Sequence, residues 1–229
     1  DIRKSALFSI PLVLYLLFNN LLNYSDQLFI SNFFDLTDLA EYSIAYRLGL
    51  LLLIFYTALS NHYSVKFYEH YKNRIENFKE TRNLVLLIII FTCLAIIFSD
   101  FTVNLITGWE GEKLKRTSLI NILIIVSYYL NILFLLYSRK LYYEGKSIKI
   151  SLLVIVTGCL NIILNWLFLE KMGYEFAAIT TLISFLFIAI VSFYYYYNED
   201  RYFFKKLIKL YFSGLVMIIF ISSIKYALN

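Results

Sequence analysis

Long apolar stretches separated by short polar segments make up most of the chain. Each stretch has the roughly 20 residues that a helix needs to cross the hydrocarbon core of a bilayer. None shows the period-two alternation of a membrane β-strand. The predicted spans are 5–34, 38–64, 84–106, 117–138, 148–169, 174–197 and 207–228. The pattern therefore predicts an all-α integral membrane protein with seven transmembrane helices.

The composition agrees with this class and sets an orientation. Apolar residues make up 60% of the 229 residues and charged residues 16%, which excludes an ordinary soluble domain. Most of the 21 Lys and Arg residues fall in one set of alternate connections. Because basic connections stay in the cytoplasm, we predict that segment 66–83 is cytoplasmic and segment 107–118 external. The aromatic and basic residues of segment 66–83 predict an amphipathic stretch against membrane lipids, and we expect no nucleic-acid partner.

Two ionisable residues, Asp26 and Arg47, lie deep within the first two predicted spans. Placing either in hydrocarbon costs about 2.5–3.5 kcal/mol, so such residues usually face a partner or a watery cavity. Both lie eight or nine residues from the same predicted turn, at a depth of roughly 12–14 Å. The sequence therefore predicts that they meet. Two interpretations stay open: a structural pair that holds the hairpin together, and part of a substrate cavity.

Amide side chains accompany this pair. Asn19 and Asn23 share a helix face with Asp26 through four- and three-residue spacing, and Asn161 and Asn165 stack four residues apart on the fifth span. Amides at this spacing suit close helix packing, and they equally suit the lining of a cavity. We take all four asparagines, with Asp26 and Arg47, as substrate-cavity candidates.

Sequence features of a catalytic or metal site are missing. The chain shows no paired carboxylates, no nucleophile with a base and no phosphate-binding glycine loop. His62 and His70 lack metal-ligand spacing, and Cys93 and Cys159 fall singly within apolar runs. We therefore expect no enzyme activity, no cofactor and no bound metal.

Two stretches of the chain resemble a known transporter family. One is EGKSIKISLLVIVTGCLNIILNWLFLEKMGYEFAAITTLIS, at Glu144–Ser184, and the other is the opening FSIPLVLYLLFNNLLNYSDQLFIS with EYSIAYRLGLLLL. They are similar to the C-terminal lobe of polysaccharide flippases, the O-antigen transporter group of the MATE-like MOP superfamily. Four residues of the opening stand at positions that match the family: Pro11, Asp26, Tyr42 and Arg47.

The resemblance implies a domain organisation and a function. Residues 1–197 would form one six-helix lobe, and residues 198–229 a basic link with an additional transmembrane helix. Because the chain begins with Asp1 and not Met, we expect a fragment whose missing N-terminal lobe completes the transporter. The whole protein would move a lipid-linked oligosaccharide across the bacterial cytoplasmic membrane by alternating access, driven by a proton or sodium gradient.

The resemblance also implies roles for the paired residues. Arg47 would contact the anionic pyrophosphate of the lipid-linked substrate, and Asp26 would position Arg47 or bind the coupling ion. Three other functions are compatible with the sequence: a multidrug or cation antiporter of the same superfamily, a membrane glycan polymerase or ligase, and a structural membrane subunit.

Overall fold

The computed structural model describes residues 2–72, 78–199 and 201–228, and over these residues the protein consists of helices joined by short links. Eight helices occur in this part of the chain, and no strand. They are α1 (Ile2–Phe33), α2 (Leu36–Lys72), α3 (Phe78–Ile97), α4 (Ser99–Thr107), α5 (Gly111–Tyr143), α6 (Ser147–Met172), α7 (Phe176–Glu199) and α8 (Arg201–Leu228). The predicted amphipathic segment 66–83 falls partly outside the described residues, as does Asp1.

Six helices are long and apolar enough to cross a membrane, which supports a multi-pass membrane protein. These candidate spans are Leu36–Ser64, Lys79–Ile97, Gly111–Tyr143, Ser147–Met172, Phe176–Tyr197 and Lys205–Tyr226. The remaining predicted span, 5–34, coincides with α1, whose described part carries Asn19, Asn20, Asn23 and Asp26. Part of α1 lies outside the residues whose side chains are described, and the count of six refers to the described part of the chain. The count of seven spans therefore stays a prediction.

The third predicted span, 84–106, is two helices and not one. The chain leaves the helical path at Phe98, between the end of α3 and the start of α4. Lys225 of α8 explains the break, because its Nζ donates to the carbonyls of Ile96 and Ile97 at 2.8 and 3.2 Å. These carbonyls lie in the last turn of α3, where the helix itself offers no donors. A side chain far along the chain thus stabilises the helix end.

The chain divides into two compact units. The first comprises Asp1–Ile44 and Leu130–Phe193, and the second Ala45–Tyr129 and Tyr194–Asn229. Helices α2, α5 and α7 contribute residues to both. The division at residues 197 and 198 rests on the family resemblance and stays a prediction.

In the first unit α1 packs along α6. Gly158 lies at this contact, and a Cβ at this position would make an ordinary van der Waals contact with the Phe18 carbonyl oxygen of α1, at 3.4 Å. The Ser151 hydroxyl of α6 also donates to the carbonyl of Pro11 in α1. Small residues at a helix interface are the usual means of bringing membrane helices together. This contact places the polar face of α6 against α1.

In the second unit α8 packs against α3 and α5. The rings of Tyr129 and Tyr211 stack with centroids 4.9 Å apart. Each hydroxyl donates to the other residue's carbonyl, at 2.9 and 3.2 Å. Beside them, a Cβ on Gly214 would lie 2.5 Å from the Ile89 side chain and 2.5 Å from the Tyr129 hydroxyl. The absence of a side chain at Gly214 is therefore what allows α8 to approach.

Candidate functional site

Asp26 is the centre of a buried polar cluster in the first unit. Its side chain has no exposed surface. Oδ2 accepts hydrogen bonds from the Tyr42 hydroxyl at 2.5 Å and from the Thr181 hydroxyl at 2.6 Å. Oδ1 accepts from the Asn165 amide at 2.6 Å. Short hydrogen bonds to a carboxyl group are among the stronger ones in proteins, and three neutral donors surround this group within the helices.

Further hydrogen bonds between side chains connect these donors to one another. The Asn165 amide oxygen accepts from the Thr180 hydroxyl at 2.5 Å, and its nitrogen also donates to the Asn161 oxygen at 3.2 Å. The Asn161 oxygen accepts from the Ser25 hydroxyl at 2.6 Å, and its nitrogen lies 3.4 Å from the Thr181 hydroxyl. We call these seven residues the Asp26 cluster: Ser25, Asp26, Tyr42, Asn161, Asn165, Thr180 and Thr181.

The periodicity of α6 explains why its two asparagines reach the cluster. The buried positions of α6 recur at spacings of three and four residues, from Ser147 to Leu169. Asn161 and Asn165 belong to this face, as does Gly158, where α1 comes close. In α7 the adjacent Thr180 and Thr181 are both buried, and each directs its hydroxyl into the cluster. Four helices, α1, α2, α6 and α7, therefore meet around one carboxylate.

The structure brings together three of the predicted site residues: Asp26, Asn161 and Asn165. Asn19 and Asn23 lie on earlier turns of α1 and are half-buried, and the Asn23 amide donates to the carbonyl of Asn19 at 2.8 Å. Arg47 has an exposed side chain. It belongs to the second unit and Asp26 to the first. The predicted pairing of Asp26 with Arg47 therefore stays a prediction.

The hydroxyl residues of the cluster were not predicted as site residues. In the sequence, Tyr42 stands out only as a position that matches the family. Ser25, Thr180 and Thr181 have no feature that marks them as site residues. Hydroxyls in membrane helices often bond to the backbone of their own helix, and Thr180 does so to the Ala177 carbonyl at 2.8 Å. Such residues are therefore hard to identify as site residues from the sequence. Two adjacent threonines in an otherwise apolar span are a feature that could have indicated them.

The oxygen atoms of the cluster suit a hard cation or a proton. The carboxylate of Asp26 supplies the negative charge, and the amide and hydroxyl oxygens around it are neutral donors of electron pairs. Hydroxyl protons rotate freely and an amide side chain flips, so groups that now donate to Asp26 can turn an oxygen towards an ion. Hard cations prefer such oxygen ligands. Within the described residues, no three His, Cys, Asp or Glu side chains come together as metal ligands.

A second buried carboxylate of the first unit lies outside the cluster. Glu41 is 6% exposed, and its Oε2 accepts from the Tyr174 hydroxyl at 2.7 Å. The Tyr174 ring in turn meets the edge of Phe34, with centroids 6.2 Å apart. Glu41 is therefore a natural control for Asp26, because it is a buried acid with a tyrosine donor in the same unit.

Comparison with protein families, curated proteins and solved structures finds no match to the chain.

Proposed function

We propose that this chain belongs to a polysaccharide-biosynthesis transporter of the bacterial cytoplasmic membrane. In this proposal the protein moves a lipid-linked oligosaccharide across the bilayer by alternating access, and it is not an enzyme. The Asp26 cluster is the observation that carries the transport mechanism. The substrate class comes from the family resemblance of the opening stretch and of Glu144–Ser184.

The position of Asp26 supports a coupling role. A carboxylate without exposed surface, in a helix of a membrane protein, is expensive to keep, and such residues commonly mark ion or substrate pathways. Its three hydrogen-bond partners come from α2, α6 and α7, so any movement that separates these helices from α1 takes partners away from the carboxylate. A cation that binds only when they are close shifts the population towards the closed arrangement. The cluster therefore links ion occupancy to helix packing.

We infer Na⁺ as the ion that the cluster would hold, with a proton on Asp26 as the alternative. The carboxylate oxygens, the amide oxygens of Asn161 and Asn165 and the hydroxyls of Thr180 and Thr181 offer oxygen ligands only. A proton binds to a single acceptor atom and does not require several oxygen ligands around it. The number of convergent neutral oxygens therefore favours a metal cation, and a single negative charge matches a monovalent one.

Arg47 has a separate role in this proposal. Its exposed guanidinium is accessible to an anionic group, and arginine presents a fork of donors that suits phosphate oxygens. We propose that Arg47 contacts the pyrophosphate of the lipid-linked substrate. Asn19 and Asn23, half-buried on α1, remain candidates for contacts to the substrate.

Sodium binding can be tested by thermal unfolding of the purified protein in NaCl against choline chloride at equal ionic strength. Ligand that binds only the folded state stabilises it by about 2.7 kcal/mol at a concentration of roughly 100 times Kd. We expect Na⁺ to raise the unfolding temperature of the wild type and of Glu41→Gln, but not of Asp26→Asn. A Na⁺ effect that survives in Asp26→Asn would place the ion elsewhere. No Na⁺ effect, together with a pH-dependent stability that Asp26→Asn abolishes, would identify the proton as the ion.

Transport itself requires the complete protein in proteoliposomes with a fluorescent lipid-linked oligosaccharide. We expect translocation that depends on the ion gradient and that is lost in Arg47→Gln when the rate is normalised to the amount of folded protein. A fluorescent cationic drug serves as the competing substrate. Drug export without glycan translocation would contradict the proposed substrate class and favour a multidrug antiporter.

A further inference from the structure

The second unit holds a cavity that is separate from the Asp26 cluster and has no part in the proposed transport step. Its walls come from α4, α5 and α8, and its volume is about 610 Å³. This lies within the range of about 300–1,000 Å³ that is typical of small-molecule sites. We call it the α5–α8 cavity.

The wall formed by α5 changes from polar to apolar along its length. Lys115, Ser118, Leu119 and Ile122 line the cavity at spacings of three and four residues, so they share one helix face. From Lys115 to Ile122 the helix rises roughly 10 Å. The cavity is thus charged at one end and apolar at the other, as an amphiphilic ligand requires.

The charged end is built around a fixed lysine. The Lys225 Nζ donates to the Ser99 hydroxyl at 2.5 Å and to the end of α3, and it forms an ion pair with Asp100 at 3.2 Å. These bonds hold α8 against the break between α3 and α4. With Lys115, the charged residues that line the cavity carry a net charge of +1, since two lysines outweigh one aspartate. The two lysines make this end of the cavity attractive to an anionic group.

Ser118 supplies an independent observation that points to a ligand. Its side chain is only 2% exposed and lines the cavity, and its Oγ has no hydrogen-bond partner among the described residues. Buried hydroxyls are nearly always paired in folded proteins. The Oγ atom itself is buried, so it must turn into the cavity to donate; a phosphate oxygen beside Lys115 would then accept from both side chains.

Aromatic residues near this end suggest that it lies at the level of lipid headgroups. The Lys113 ammonium lies 3.9 Å from the ring centroid of Trp109, in the link that precedes α5. Tyr226, which lines the cavity, is 73% exposed. Trp and Tyr are enriched where membrane meets water, and lysines there extend towards the headgroups.

We propose that the α5–α8 cavity binds one anionic phospholipid. Its phosphodiester lies between Lys115 and Ser118, and one acyl chain runs along Leu119 and Ile122. Lys225 positions the wall through its bonds to α3 and α4. The occupant is a lipid and not a soluble anion, because the apolar half of the cavity needs a hydrocarbon chain to fill it.

The test is native mass spectrometry of the full-chain protein equilibrated with equal amounts of phosphatidylglycerol and phosphatidylcholine. A lysine near an anionic headgroup contributes about 1 kcal/mol, so we expect the wild type to prefer phosphatidylglycerol about fivefold. Lys115→Glu should remove this preference, and Ile122→Trp should reduce lipid binding by filling the apolar half. Lys171→Glu is the matched control, because it makes the same charge change in the last turn of α6, on the same predicted face of the membrane, and should bind as the wild type does.

Three results would overturn the proposal. Equal binding of both lipids by the wild type would indicate ordinary annular lipid. An equal loss of preference in Lys171→Glu and Lys115→Glu would indicate a general effect of surface charge. Displacement of phosphatidylglycerol by inorganic phosphate would indicate a soluble-anion site. Should Lys115→Glu fail to fold, Ile122→Trp and Ser118→Ala still test the proposal, since neither changes a charge. Both should reduce the binding of phosphatidylglycerol, and wild-type binding by both would overturn the proposal.

Discussion

The hydrogen bond from Thr181 to Asp26 offers the sharpest test of the cluster. Thr181→Val keeps the size of the side chain and removes the donor that lies 2.6 Å from the Asp26 Oδ2. The matched control is Thr157→Val on α6, in the same unit. Thr157 is equally buried, and its hydroxyl donates only to the Leu153 carbonyl of its own helix, at 2.7 Å.

The expected magnitude follows from the charge of the acceptor. Hydrogen bonds to charged groups contribute about 1.5–3 kcal/mol in soluble proteins. Bonds between membrane helices average about 0.6 kcal/mol and reach about 1.7, because the unfolded chain in the membrane also finds partners. We therefore expect Thr181→Val to lower the free energy of unfolding by about 1.5 kcal/mol. Thr157→Val should lower it by less than about 1 kcal/mol, since its bond is local and neutral.

A double-mutant cycle with Asp26→Asn separates the bond from other effects of the substitution. Equilibrium unfolding in mixed detergent micelles gives the four free energies. With the charge removed, Thr181→Val should cost roughly 1 kcal/mol less than in the wild type, while the cost of Thr157→Val stays the same. A coupling energy between Thr181 and Asp26 below about 0.5 kcal/mol, the usual error of additivity, would refute the view that the carboxylate organises the cluster.

Three further predictions concern the rest of the chain. Single cysteines placed in segments 66–83 and 107–118, in a version without native cysteines, should label from opposite sides of the membrane; labelling of both from outside would contradict the orientation. Asp26→Asn and Arg47→Gln should each lower the yield of folded protein, because removing one partner of a buried pair destabilises the fold by about 3–5 kcal/mol, and the double substitution should recover part of the yield; independent effects would dismiss the pairing. Gly214→Ala should destabilise the second unit by about 1–3 kcal/mol, because the added methyl group would lie 2.5 Å from neighbouring side chains; unfolding unchanged from the wild type would show that α8 moves freely aside.

Much of the helical architecture could be predicted from the sequence, because apolar runs of membrane length admit few other structures. Asp26 was also identifiable, since a carboxylate within an apolar run is rare, and the four-residue spacing of Asn161 and Asn165 placed both on one face. Helix depth alone, however, does not say towards which side Arg47 points. Spacing along one helix also does not reveal which hydroxyls of another helix will face it.

The break at Phe98 shows a second limit of local patterns. No proline or glycine stands between residues 84 and 106 to interrupt the predicted helix. The donor that stabilises the end of α3 is Lys225, 129 residues beyond Ile96. Only tertiary structure brings the two together. The cavity beside Ser118 likewise cannot be predicted from local sequence, because α8 forms its opposite wall.

The composition of the Asp26 cluster has a consequence for the biosynthesis of the protein. Asn165 and Thr181 follow Asp26 by 139 and 155 residues, so α1 leaves the ribosome long before these partners are made. The cost of about 2.5–3.5 kcal/mol for a charge in hydrocarbon therefore falls on a nascent helix that is already interrupted by asparagines. We expect α1 to enter the bilayer incompletely during translation. Its final insertion would then wait until α6 and α7 have been made, so α1 becomes part of the folded membrane protein only after more than 139 further residues have been translated.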